Sequence, residues 1–115
     1  MPDLKHVPAD ADVVAKTLLA DGGVIVDSVA PPALLDKILD DFKDPFDEQG
    51  HKFSNDFNGY KTRRLGGILG LSHNAADILA HPLVTGVADQ ILKRHCESYR
   101  IGSSTAIEIH PGDGA

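Results

Sequence analysis

The sequence predicts a mixed α+β fold, or a β-rich module, whose sheet is left unfinished. Three observations point there. Apolar residues recur at helical spacing in several separate stretches, the clearest being Leu35, Ile38, Leu39 and Phe42. Val24-Ile25-Val26 is a short β-branched run bounded by Asp27 and Ser28. From Ser98 to His110 the apolar period changes to two, and no second strand follows the turn behind it.

The elements follow in order. Asp10 caps a first helix running to about Ala20, with Val14 and Leu18 four residues apart and Val13 and Leu19 beside them. Gly22-Gly23 stops it, and Val24-Ile25-Val26 forms the first strand. Pro31-Pro32 opens a second helix, because proline suits a first turn. Its buried face is Leu35, Ile38, Leu39 and Phe42; Asp36, Asp40 and Asp41 take the solvent side, and Pro45 ends it. Phe46 to Gly70 has no steady period and reads as a long loop region with short strands around Tyr60 to Leu65. Loops of that length usually serve a site or a lid.

Ser72 or Asn74 caps a short helix through Ala80, and His81-Pro82 interrupts it and starts a longer one. Leu83, Val84, Val87, Ala88, Ile91 and Leu92 are its apolar stripe; Lys93, Arg94 and His95 fall in its last turn, where positive charge complements the helix dipole. In the terminal strand Tyr99, Ile101, Ser103, Thr105, Ile107 and Ile109 share one face, with Arg100, Gly102, Ser104, Ala106, Glu108 and His110 on the other. Pro111-Gly112-Asp113-Gly114 is a turn.

Size and charge exclude several classes. A chain of 115 residues is one domain at most. Its hydrophobic fraction of 42% and charged fraction of 24% suit a globular protein with a real core. Acidic residues outnumber basic ones 17 to 11; the resulting charge of -6 repels phosphate backbones and disfavours nucleic-acid binding. There is no Trp and only 5% aromatic residues to stack bases. Cys96 has no partner for an internal disulfide, which suggests a reducing compartment. The first residues lack an apolar signal core, and no apolar run nears the roughly 18 residues that span a bilayer. These features point to the cytoplasm, with organelle import left open, and to no membrane partner.

Motifs for common chemistry are missing. There is no GxGxxG, no lysine-type phosphate loop and no GxSxG elbow; Gly66-Gly67-Ile68-Leu69-Gly70 lacks the lysine. His6 lies in an unstructured start, while His51, His73 and His81 fall in loops or at helix boundaries. A facial triad needs two His and a carboxylate, and the nearest pattern is His95-Cys96-Glu97, in a helix-to-strand connection where helix-end chemistry explains it better. Cys96 reads as a small buried thiol.

Several segments, taken together, resemble the phytanoyl-CoA dioxygenase family of iron(II)/2-oxoglutarate oxygenases. Lys61-Thr62-Arg63-Arg64-Leu65-Gly66-Gly67-Ile68-Leu69 is similar to a family segment of the form TRRLGGLL. His81-Pro82-Leu83-Val84, followed by Ala88-Asp89-Gln90-Ile91-Leu92, resembles its HPLV…ADxxL helix. Tyr99 through Gly112 resembles the strand and turn leading to the family's metal motif, and the opening helix with Gly22 to Val26 resembles its first helix and strand. The resemblance covers nearly the whole chain, least clearly from Phe46 to Gly59.

The resemblance implies N-terminal helices packed on part of a double-stranded β-helix, a jelly-roll or cupin-like fold that is incomplete here. It implies the N-terminal portion of a single oxygenase domain, residues 1–115, ending before the His-x-Asp motif. In such enzymes Fe(II) and 2-oxoglutarate support oxidation of a small-molecule or acyl-CoA-type substrate. No metal ligand carries over to this chain, neither cofactor is expected to bind it tightly, and the chain alone is expected to be inactive. Substrate-pocket candidates do carry over. Ser103, Thr105 and Ile107 lie on a face that either lines the pocket or packs as core. Asn55 and Asn58 either approach substrate or serve a turn. Arg63 and Arg64 either meet an anionic substrate or co-substrate, or pair with carboxylates of the acid-rich front half. The leading alternative is a non-catalytic interaction module, self-associating or completed by a partner through the unpaired strand 99–110. A third reading is a small metal or thiol enzyme using His95, Cys96 and Glu97.

Overall fold

The computed structural model describes residues 3–112. The chain is mixed helix and strand, an α+β protein, and its described residues divide into two units, 3–31 with 77–100 and 32–76 with 101–112.

In the first unit β1 (His6–Val7) pairs in parallel with β2 (Ile25–Val26), and α1 (Ala11–Asp21) crosses between them. A parallel pair needs such a crossover. The sequence leaves β1 out and puts His6 in an unstructured start. Instead His6 pairs with Ile25, and its Nδ1 lies 2.7 Å from Asp27 Oδ2. Asp10 caps α1 as expected, its Oδ1 accepting from the amides of Asp12 and Val13. Gly22 ends the helix with φ at 78°, and its N–H donates to the Leu18 carbonyl.

Helix α5 (Pro82–Leu92) packs on α1, where Val14 and Ala15 are buried and Gln90 Nε2 donates to Asp12 Oδ1. His81 is its N-cap, Nδ1 accepting from the Leu83 amide. The helix closes at Lys93, so Arg94 and His95 lie past its end rather than in its last turn. Cys96 corrects the buried-thiol expectation. It is exposed just beyond the helix, with Sγ 3.2 Å from the Leu92 carbonyl.

In the second unit α2 (Pro32–Gln49) runs through Pro45 instead of ending there. Proline removes one backbone hydrogen bond. The turn beyond it carries Phe46, which is buried edge-on against Phe42 with ring centroids 6.2 Å apart, and that burial offsets the loss. The buried residues are therefore Phe42 and Phe46, with the partly buried Ile38 continuing the stripe at four-residue spacing. Leu35 and Leu39, expected inside, are exposed at 43% and 68%. Asp41, expected in solvent, is half-buried; its Oδ2 accepts from Ser72 Oγ at 2.6 Å and Asn74 Nδ2 at 2.8 Å. Those bonds, from Ser72 first, hold its carboxyl below the ordinary range.

The segment expected as a long loop with short strands around Tyr60 to Leu65 holds β3 (Thr62–Gly66) where a strand was expected, and a short α3 (Ile68–Leu71) where none was. Then α4 (His73–Leu79) is capped by Ser72, whose Oγ accepts from the Ala75 amide. The terminal strand β4 is Thr105–Ile109, shorter than the alternating pattern from Ser98 to His110. It pairs antiparallel with β3 over five rungs, Thr62 opposite Ile109 through Gly66 opposite Thr105. The upstream β3 thus supplies the partner strand that the sequence does not offer behind the turn, and its five residues set the ladder's length. Leu65, Phe42, Phe46 and Ala75 form the core, with Ile38, Ile68 and Ala106 packed against them.

Candidate functional site

The β3–β4 ribbon separates the two arginines of the Thr62-Arg63-Arg64 run, because neighbours along a strand point to opposite faces. On the face toward α2, Arg63 lies opposite Glu108 and Leu65 opposite Ala106. Arg63 Nε donates to Glu108 Oε1 at 2.8 Å, and Nη1 donates to Asp47 Oδ1 at 2.7 Å. Its guanidinium also sits 5.1 Å from the centre of the Phe46 ring. The hydrogen bond to Asp47, then that to Glu108, raises the Arg63 pKa. The Arg63 hydrogen bond in turn lowers that of Glu108, helped by a bond to His110 Nε2. Arg63 is a structural crosslink between α2 and the ribbon.

The other face carries Thr62, Arg64 and Gly66 opposite Ile109, Ile107 and Thr105. Thr62 is buried, whereas Thr105 is exposed, Ile107 is half exposed and Ile109 is 71% exposed. Ser103, also exposed, lies ahead of the strand. So Thr105 and Ile107 share an open face and do not pack as core. Arg64 stands among them with a buried Nε that has no hydrogen-bond partner among the described residues.

Asn55 and Asn58 build a turn. Asn55 Oδ1 accepts from the Asn58 amide at 2.7 Å, Asn58 Nδ2 donates to the Phe53 carbonyl at 2.9 Å, and Asn55 bridges Gly59. Both side-chain groups are committed to the loop backbone. The loop nevertheless leaves Phe57 at 95% exposure and Tyr60 at 62%. Beside it, His51, Tyr60, Lys61, Arg63 and His110 line a hollow of about 440 Å³. Sequence reasoning missed Asp47, Glu108, His51 and Lys61 here. The alternating pattern does place Glu108 opposite the Ser103–Ile107 face, but its pairing with Arg63 requires the register.

Compared with protein-family models and with curated proteins, the chain matches none.

In the first unit a groove of about 510 Å³ runs between α1, β2 and α5, with Val14, Leu18, Val26, Val87 and Ile91 among its lining and almost no polar surface. Tyr99, expected on a strand, is in irregular chain and donates to Asp89 Oδ1 at 2.6 Å. That bond lowers the carboxyl pKa and raises the phenol's. His95, Cys96 and Glu97 are all exposed. Among the described residues no three His, Cys, Asp or Glu side chains come together to hold a metal, and no helix is long and apolar enough to cross a membrane.

Proposed function

We propose that this chain is the N-terminal portion of an Fe(II)/2-oxoglutarate-dependent oxygenase similar to the phytanoyl-CoA dioxygenase family. In this reading it works in the cytoplasm, and the β3–β4 ribbon is one wall of a double-stranded β-helix. The observation that carries this reading is the open face of β4 in that ribbon. Thr105, Ile107 and Ile109 alternate along β4 beside Arg64, while the opposite face is already used up by Leu65, Ala106 and the Arg63–Glu108 pair. A strand that packs one face on helices and leaves a mixed polar and apolar face bare suits the inside of a pocket. The residue order of the resemblance, from Lys61 through Gly112, supports it independently.

The described residues do not fit an iron site, so no step of the chemistry is assigned to them. Their part is to wall the pocket and position a small-molecule or acyl-CoA-type substrate. The test is the coding sequence behind codon 115, followed by an assay of the protein it specifies. A Gln followed shortly by His-x-Asp in frame, with iron-dependent conversion of 2-oxoglutarate, is the expected result. Absence of that motif, or full stoichiometric turnover by residues 1–115 alone, overturns the proposal.

A second reading, an interaction module, draws on the same ribbon. Among the described residues its sheet has only two strands, and Ile107 and Ile109 face outward. Such an edge can accept a strand from another chain or from a second copy. A dimer in light scattering, lost in Ile107→Lys with the fold retained, would favour this reading over the oxygenase.

A further inference from the structure

We infer that two copies of this chain associate by laying α2 of one in the aliphatic groove between α1, β2 and α5 of the other. The inference rests on neither reading above. It starts from α2, which carries two apolar stripes where the core takes only one. Phe42 and Phe46, with Ile38, meet the core. Leu35 and Leu39, one turn apart, are exposed. Beside them Asp36, Asp40, Asp44 and Glu48 recur at four-residue spacing, all exposed and none in an ion pair among the described residues. Like charges one turn apart on a helix repel each other. The helix therefore keeps, against its own stability, an acidic ridge next to two leucines left in contact with water.

The complement lies in the first unit. Its groove of about 510 Å³ is lined by aliphatic side chains alone, among them Val14, Leu18, Val84, Val87 and Leu92. Val84 and Leu92 are exposed. Leu92 ends α5, and Lys93, Arg94 and His95 follow it, all exposed. Lys93 reaches Asp89 only at 3.5 Å, and Arg94 forms no ion pair among the described residues. An aliphatic groove with cations at one end suits an amphipathic helix that has leucines one turn apart and carboxylates at their side. Helix α2 is such a helix, with six carboxylates against two lysines. A second copy thus brings both the apolar anchors and the charge that the groove end lacks. Groove and helix are different patches of one chain, so a pair closed by a two-fold axis makes the contact twice.

The experiment is sedimentation equilibrium of the 115-residue chain over a range of concentrations, with circular dichroism of each variant to check its fold. Reversible self-association is expected. Leu39→Ser changes an exposed side chain and is expected to weaken association about tenfold or more with helix content retained, the loss of one buried aliphatic anchor. Asp36→Lys with Asp40→Lys is expected to weaken it as well, and so is Lys93→Glu with Arg94→Glu. The two pairs combined are expected to recover association, because each new cation then meets a new carboxylate. A chain that stays monomeric up to its solubility limit overturns the inference and leaves the groove to a different occupant. Association undiminished by Leu39→Ser overturns it, as does a folded combined variant that associates no better than either pair. Where a charge-reversed chain fails to fold, Leu39→Ser decides alone. Association lost in Ile107→Lys but kept in Leu39→Ser would put the contact on the β3–β4 ribbon and overturn the inference too.

Discussion

Arg63 and Arg64 look alike in the sequence, yet they have opposite fates. The alternation of a strand puts them on different faces, but which face meets carboxylates depends on the α2 helix and on the β4 register. The sequence reading left both open between an anionic ligand and the acid-rich front half. Arg63 takes the second course through Asp47, 16 residues upstream, and also pairs with Glu108, 45 residues downstream and outside that front half. Arg63→Gln is therefore expected to lower the melting temperature clearly more than Arg64→Gln, as differential scanning calorimetry would read. Leu65, only 2% exposed, anchors the same face. Leu65→Ala is expected to cost about 2–5 kcal/mol in denaturant unfolding, from lost burial and the cavity left behind.

At the scale of elements, ends were more legible than faces. Asp10, Gly22, Ser72 and His81 act at helix boundaries as the sequence suggests, because capping depends on residues a few positions apart. Ser72→Ala is expected to lose about 1 kcal/mol from the α4 cap alone, and to release Asp41 as well. The error at Pro45 has the opposite origin. A local breaker was overridden by Phe46, whose value comes from long-range burial. The helix end just beyond is fitted closely to β3: a Cβ on Gly50 would stand 2.5 Å from the Phe46 carbonyl oxygen and 2.8 Å from the Arg63 Cβ. Gly50 also accepts from the Arg64 amide. Gly50→Ala is accordingly expected to destabilise β3, seen as faster amide exchange at residues 63–65.

At the scale of the whole chain, the described carboxylates with depressed pKa values tie stability to pH. Asp41 and Glu108 both titrate lower when folded, the first because of Ser72 and Asn74, the second because of Arg63. A carboxylate depressed in the folded state contributes fully above its unfolded pKa, and the contribution disappears as pH falls through the folded value. Melting temperature is thus expected to be flat near neutrality and to drop on acidification below the ordinary carboxylate range. Glu108→Gln should make that drop shallower; an unchanged profile would show that the pair contributes nothing to the dependence.

The places of α1, α4 and α5, the helix caps, the α+β class and the alternation of the last strand were readable from the sequence, because they depend on periodicity and neighbours within a turn or two. Tertiary structure decided which side of α2 is buried, where β4 finds its partner and how short it becomes. It also decided that Thr105 and Ile107 face outward and that, among the described residues, only one arginine of the two meets carboxylates. Those outcomes depend on contacts between residues tens of positions apart, and local pattern carries no record of which distant strand or helix supplies them.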